Sequence, residues 1–518
     1  MKLEDAIKRI EEVSKFTLNE NQKEIAKKIL RSAPKEELSE YFNFVMQRIK
    51  LGFTFDIAPE IANGKISIIK ENLKLGINVN ENVDGNENKL IIGENYDALK
   101  NLLLTHSNKI NLIYIDPPYN TERAREEGNS HNNYSNQKFS YFDKFSKSGW
   151  LNMMNMRLKL AKKLLSENGI IFVSIDDTEQ AYLKVLMDEI FGEECFVKTL
   201  IYQTNTNIMK NSKNFRKDHE YIHVYAKGGI FVNFKREENK KLIFQNCDND
   251  VNGPWISTNA TYKLNNKVKN YFSLKHPTKD IYFLRTWRFS KEDYSQKKIN
   301  LYFKDKNVPR IKEYKKKYNL NNKIPSTILN FNDFNLPFSN EGMDSFTQAK
   351  KELFSILSNE EFETPKPIKL IKWLIKRINK KNITVLDFFA GSGSTGHAIL
   401  QLNKEDKGNR KFILVTNNEN KIGENICYER IYRIIKGEGT DGDKNFSWIK
   451  KNKSFFDCKL RVFYLKTKDI SLGLNIDNLK SETTEEFKKL NPDFKFDKEI
   501  QIYYKLSSLR QLKRKKNN

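Results

Sequence analysis

Ile110-Asn111-Leu112-Ile113-Tyr114-Ile115-Asp116-Pro117-Pro118-Tyr119 is the stretch on which the fold turns. Five of its first six residues are aliphatic or aromatic, the texture of a strand buried on both faces. The strand has to end at Asp116. Neither Pro117 nor Pro118 has an N–H to give a ladder, and both fix φ.

The same texture repeats outward from it. Lys89-Leu90-Ile91-Ile92-Gly93 is a shorter apolar strand, and Asn95 to Leu104 reads as a helix. Residues 121 to 148 are polar and rich in Asn and Ser, which predicts a mobile loop. Trp150 to Leu165 has amphipathic helical spacing, Gly169 to Ile175 is a third strand, and Asp177 to Phe191 a further helix. Alternating strands and helices predict a parallel sheet with helices on both faces. The rhythm breaks from about 203 to 345, where Lys, Asn and aromatic residues mix around Pro254, Pro277, Pro309 and Pro325. It resumes with a helix over Ile368 to Ile378, a strand over Ile383 to Asp387, a helix over Ser394 to Leu402 and a strand over Phe412 to Thr416.

The expected fold is therefore α/β: a doubly wound, Rossmann-like sheet interrupted by an irregular α+β domain. Five regions are expected: a helical N-terminal part over 1–85, a first half-domain over 86–202, the irregular domain over 203–345, a second half-domain over 346–450, and a C-terminal part over 451–518. The last contains the strand-like Leu460 to Leu465 and the basic tail Arg510 to Lys516.

Two motifs carry chemistry. Asp387-Phe388-Phe389-Ala390-Gly391-Ser392-Gly393-Ser394-Thr395 follows a strand and opens a helix. Gly391 and Gly393 let the backbone turn sharply, and the helix start offers free N–H groups to a carboxylate or phosphate. It is not a phosphate-binding P-loop, because His397 and Ala398 stand where Lys and Ser or Thr should follow Gly396. Glu419, beyond the next strand, is placed to bond a ribose diol, with a merely solvated side chain as the alternative.

The second motif is Asp116 to Tyr119. An exocyclic amine on a nucleobase is a weak nucleophile, because its lone pair is delocalised into the ring. Asp116 and the Pro117 carbonyl could accept its two N–H bonds and localise that pair. Pro118 stiffens the turn, and Tyr119 offers a flat face for an extruded base. His219-Glu220-Tyr221-Ile222-His223 matches a zinc-protease pattern, but its aromatic and β-branched neighbours predict a strand. The two histidines would then stand roughly 13 Å apart, so no metal site is expected.

Composition bounds the rest. The 518 residues are 38% hydrophobic and 30% charged, with a net charge of +25. Such an excess of Lys and Arg points to a polyanionic partner, with a generically Lys-rich surface as the bland alternative. Cys195, Cys247, Cys427 and Cys458 form no CxxC pair, so neither a zinc ribbon nor a disulfide framework is expected. The charged start MKLEDAIKRIEE lacks an apolar signal core, and no apolar run approaches a membrane span. A cytoplasmic protein without membrane contact is the expectation.

The motifs resemble those of the amino-methyltransferases that use S-adenosylmethionine. The Asp-Pro-Pro-Tyr box precedes Asp387 by 271 positions (387 − 116), with the irregular region between. That is the order of the circularly permuted β class, in which the intervening domain recognises the DNA target. Asp before Pro-Pro resembles the adenine-N6 branch. Gly93 to Leu99, Asp116 to Thr121, Trp150 to Met154, Val173 to Asp177, Met187 to Gly192, Gly253 to Trp255, Thr364 to Pro367 and Asn409 to Phe412 narrow the resemblance. They are similar to modification subunits of type III restriction systems.

The resemblance implies methyl transfer from S-adenosylmethionine to adenine N6 in duplex DNA. It puts Asp116, Pro117, Pro118 and Tyr119 at the base. Asp387, Phe389, Ala390, Gly391, Ser392 and Gly393 would hold the cofactor. Glu94 would lie near its adenine, Thr364 and Lys366 near its methionine end, and Glu419 near its ribose. The implied partners are double-stranded DNA, a second copy of the chain as a homodimer, and a helicase-nuclease restriction subunit. A solitary methyltransferase, a DNA-binding specificity module with a dead pocket, and methylation of RNA or protein stay open as alternatives.

Overall fold

Among the described residues, eleven strands form one sheet. In chain order they are β1 (Ile61–Glu71), β2 (Glu87–Ile92), β3 (Ile110–Ile115), β4 (Leu165–Ile175), β5 (Phe196–Gln203), β6 (His219–Ala226), β7 (Ile328–Leu329), β8 (Thr384–Asp387), β9 (Lys411–Thr416), β10 (Lys459–Asp469) and β11 (Ser507–Leu509). Their spatial order is β7-β5-β6-β4-β3-β8-β9-β2-β10-β1-β11. The computed structural model describes residues 3–11, 20–42, 45, 61–78, 87–120, 147–204, 215, 217–229, 234–236, 242–318, 324–329, 345–358, 362, 364–455, 458–469, 476–492, 494 and 506–509.

The six central strands, β4 to β10 in that order, pair in parallel. Their residues alternate between two apolar layers, as the strand period requires. Leu112, Tyr114, Val385, Phe412, Leu414, Leu90 and Ile92 face one layer. There they meet Leu353, Ile371, Ile399 and Ile431 from the helices Phe346–Leu357, Ile368–Lys376, Ser394–Asp406 and Glu429–Lys436. Ile113, Ile115, Leu386, Ile413, Val415 and Ile91 face the other. There Leu99, Leu158, Leu183 and Phe487 come from the helices Asn95–His106, Lys147–Leu164, Gln180–Phe191 and Ile476–Leu490. Each such side chain contributes about 2 kcal/mol on burial. The double layer is why these strands read as unbroken apolar runs.

β3 and β8 lie side by side, with Leu112 opposite Val385 and Ile113 opposite Leu386. From β3 the chain proceeds to β4 on one side, and from β8 to β9 on the other. The chain direction across the sheet thus reverses between them, which opens a crevice at their carboxyl ends. Asp116 and the glycine-rich loop start at that crevice.

The sheet exceeds its expected limits in three places. The boundary at 202 falls inside it, because β6 inserts antiparallel between β4 and β5. Ile222, Val224, Tyr225 and Ala226 are buried there. The boundary at 450 also falls inside it, since β10 runs parallel to β2. The N-terminal part is not wholly helical either. Helices Leu3–Glu11 and Glu20–Ser32 pack around Ala6, Ile10, Ala26 and Leu30, but residues 61–71 form β1 against β10. Edge strands joined by distant pairing leave little local signal.

Between β6 and β7 lie two smaller sheets. One joins Trp255–Asn259, Leu301–Tyr302 and Arg310–Tyr314, and the other is the hairpin of Tyr271–Lys275 with Tyr282–Thr286. They share a core of Ala260, Leu274, Phe283, Trp287 and Phe289. Residues 121–146 of the expected loop and the basic tail 510–518 lie outside the described residues.

Candidate active site

The crevice is built from strand ends. Asp116 to Tyr119 leave β3 and are anchored from behind. The buried Trp150 donates its indole N–H to the Pro118 carbonyl at 2.7 Å. Asn120, at φ 60°, donates to Glu179 Oε1 at 2.9 Å. These contacts fix where the Asp116 carboxylate and Tyr119 ring project.

Around those two side chains stands a compact charged group. Tyr119 Oη lies 2.7 Å from Asp116 Oδ1 and 3.1 Å from Glu220 Oε2. Its single proton can serve only one of them, and the shorter distance favours Asp116. Lys366 Nζ donates to Tyr119 Oη and to Glu220 Oε2, each at 2.6 Å, and lies 3.2 Å from Asp116 Oδ1. It also sits 4.9 Å from the Tyr119 ring centre and 4.7 Å from that of Phe346. Lys366 is 7% exposed and Glu220 8%.

Burial shapes the protonation of this group. Desolvation, reinforced by Asp116 and Glu220, pushes the Tyr119 hydroxyl well above the ordinary tyrosine value, so it remains a donor. Desolvation works to strip Lys366 of its proton, but Asp116 and Glu220 outweigh it and its pKa rises. Lys366 is therefore a secured cation. Burial pushes the Glu220 carboxyl up, and Lys366 opposes that shift. Its ionised form depends on Lys366.

The glycine-rich loop leaves β8 alongside. Asp387 turns inward: Thr395 Oγ1 donates to Oδ2 at 2.5 Å and the Phe389 N–H to Oδ1 at 3.0 Å. Burial raises its carboxyl to about 7. Asp387 thus shapes the loop. Gly391 and Gly393 have φ of 50° and 77°, left-handed values that suit glycine. Gly393 precedes the helix beginning at Ser394 and places no side-chain cap on it. The first-turn amides stay open to an anionic group, as a methionine carboxylate requires. Beneath the loop, the fully buried Arg430 donates to Ser392 O at 3.3 Å and Ser394 Oγ at 2.9 Å.

Glu94 and Glu419 follow β2 and β9 at the same edge of the sheet. Glu94 caps its helix by accepting from the Tyr96 N–H at 3.3 Å, and Arg157 donates to it at 2.5 Å. Arg157 also donates to Asn95 Oδ1 at 2.5 Å, and Asn95 donates to Phe388 O at 2.9 Å. That chain ties the end of β2 to the loop after β8. Glu419 is half-buried, with its N–H 3.4 Å from Asn417 Oδ1. Phe389 is half-buried, Ala390 and Ser392 are buried, and Thr364 is exposed. A helix start without a side-chain cap, with carboxylates following two parallel strands at the same end of the sheet, fits an amino-acid-bearing nucleoside such as S-adenosylmethionine.

The resemblance set Lys366 near the cofactor's methionine end, and its ammonium reaches Asp116, Tyr119 and Glu220. Glu220 was missed altogether. Its signal was present: a lone carboxylate in the aromatic and β-branched run 219–226. It was masked by the two histidines, which do lie on a strand. His223 is buried against Thr199 and the Gln180 carbonyl, and burial lowers its pKa to about 4. Arg157 and Arg430 gave no local signal.

The family model described as DNA methylase matches residues 110–436, and one for uncharacterised conserved proteins matches 3–111. The StyLTI Mod subunit, a type III restriction-modification enzyme subunit of Salmonella typhimurium, is 33% identical, covering 67% of this chain and 55% of its own length. The EcoPI Mod subunit of Escherichia phage P1, also type III, is 33% identical, covering 69% and 62%. The type II methyltransferase M.KpnI of Klebsiella pneumoniae is 30% identical, covering 68% and 86%. The chain thus spans little more than half the length of the first of these. The methylase match contains both strand-end motifs and covers more than half of the sequence. This chain belongs to the DNA methylase family.

Proposed function

We propose that the chain transfers a methyl group from S-adenosylmethionine to N6 of adenine in duplex DNA. One observation carries this reading. The Asp116–Tyr119 turn and the Asp387–Gly393 loop leave neighbouring parallel strands at the same end. A cofactor on the loop and a base on the turn would meet in one crevice. The bound cofactor supplies a methyl group already activated on a sulfonium.

The chain's own residues supply position and polarity. Asp116 accepts an N–H of the exocyclic amine, and the Pro117 carbonyl accepts the other. The lone pair then points away from the ring. Trp150 holds the turn that aims both acceptors. Tyr119 meets the extruded base, whose release from the stack costs a few kcal/mol. The first turn after Gly393 would hold the cofactor's carboxylate with Thr364, and Glu94 and Glu419 would hold its nucleoside end.

The type III Mod relatives support a modification subunit, and we propose that it also carries the sequence specificity and works in the cytoplasm. In that role the region between β6 and β7 reads the DNA target. The chain would pair with a second copy and with a helicase-nuclease restriction subunit. Incubation of duplex DNA with the protein and methyl-labelled cofactor tests the activity. Label should appear as N6-methyladenine after digestion to nucleosides. Label on cytosine, or none on DNA, would overturn the reading.

A further inference from the structure

Lys366 poses an electrostatic problem for the site. Methyl transfer moves positive charge from the cofactor's sulfur to the target amine. A lone ammonium 3.2 Å from Asp116 Oδ1 would cancel the charge that welcomes that movement. Glu220 lies across the group, 2.6 Å from the same ammonium. It comes from β6, which lies in sequence between the two strand-end motifs.

We propose that Glu220 is a positioning residue that neutralises Lys366, so that Asp116 faces the target amine with its negative charge uncancelled. This inference rests on the methyltransferase reading of the site. With Asp116 and Glu220 ionised and Lys366 protonated, the group carries one net negative charge. Lys366 in turn stands between the two carboxylates, 3.2 Å from Asp116 Oδ1 and 2.6 Å from Glu220 Oε2, and offsets their mutual repulsion. Tyr119 locks the geometry by its short bond to Asp116.

The surroundings leave this balance to the group itself. Burial, reinforced by Asp116, raises both Tyr114 on β3 and Asp387 on β8, and Tyr114 stays neutral because its hydroxyl is pushed well above the usual tyrosine value. Lys217 acts on Glu220, but its ammonium is bonded to Asp176 at 2.6 Å. The other close face of Lys366 is the Phe346 ring.

Replacing charges one at a time tests the idea in the full-length protein. Glu220→Gln keeps the shape and an acceptor oxygen but leaves the group neutral. Its kcat should fall by about tenfold or more, a fall worth at least about 1.4 kcal/mol, with cofactor Kd within about twofold of wild type. Lys366→Met leaves two facing carboxylates, so the acid limb of its kcat–pH profile should move to higher pH. The double variant restores one net negative charge through Asp116 alone and should be faster than Glu220→Gln. A purely structural role predicts a double variant slower than either single.

Wild-type kcat in Glu220→Gln, or a double variant slower than Glu220→Gln, would overturn the proposal. If Glu220→Gln fails to fold, the Lys366→Met profile decides, and an unmoved acid limb refutes. Wild-type protein that methylates no adenine would instead overturn the underlying reading, which separates the two failures.

Discussion

Gly393→Ala puts a number on the claim that loop geometry, and not merely loop composition, holds the cofactor. Gly393 sits at φ 77° and ψ 20°. A residue with a Cβ loses about 1–2 kcal/mol there. That Cβ would also stand 3.2 Å from Cys427 Sγ and 3.4 Å from the Cys427 carbonyl oxygen. The approach to Sγ is closer than comfortable contact, so the loop or Cys427 must give by a few tenths of an ångström, whereas the approach to the carbonyl oxygen is ordinary contact. The two effects together predict a loss of about 1–3 kcal/mol. The melting temperature should fall by a few degrees. Every 1.4 kcal/mol that appears as displaced Ser394–Gly396 amides should weaken S-adenosylmethionine binding about tenfold. Titration calorimetry and thermal unfolding measure the two parts. Adding Cys427→Ala relieves the Sγ contact but not the backbone strain, so affinity should recover in part relative to Cys427→Ala alone. Unchanged affinity and unchanged melting temperature in Gly393→Ala would refute the reasoning.

Three other outcomes follow from contacts in the crevice. Trp150→Phe keeps the ring but loses the bond to Pro118, which costs about 1 kcal/mol; turnover should fall while calorimetric cofactor affinity holds. Arg157→Met removes the donor that Glu94 and Asn95 share and should weaken cofactor binding several-fold in the same titration. Asp387 has a carboxyl raised to about 7 by burial. Its protonated form therefore favours the folded state, and that stability is fully present below the unfolded value near 4. It is lost as pH rises through about 7. Asp387→Asn removes this dependence, so its melting temperature relative to wild type should be higher at pH 8 than at pH 5.

The centre of the molecule was legible because its determinants are local. Ile110 to Tyr119 declares a doubly covered strand and its stop within ten residues, and Asp387 to Thr395 declares the loop in nine. The edges were not legible. β1 and β10 pair Ile68 with Lys466, about four hundred positions apart, and no window of sequence contains both. β6 was set outside the sheet because its neighbours on either side are irregular and its histidines drew attention to metal chemistry. The charged group at the site failed for the same reason. Asp116, Glu220 and Lys366 come from three distant segments, and only the register of β4, β6 and β5 turns Glu220 toward Lys366. Asp116 stood out through the prolines and tyrosine that follow it, whereas Glu220 alone reads as an ordinary surface carboxylate.

The most direct test of the central claim separates methyl transfer from cofactor binding at Asp116. Wild-type protein and Asp116→Ala are incubated with duplex DNA and S-adenosylmethionine, and the nucleosides are quantified by mass spectrometry. Cofactor affinity is measured in parallel. N6-methyladenine from wild type alone, with equal cofactor affinity in both, is the predicted result. N6-methyladenine formed by Asp116→Ala at close to the wild-type rate would contradict the account.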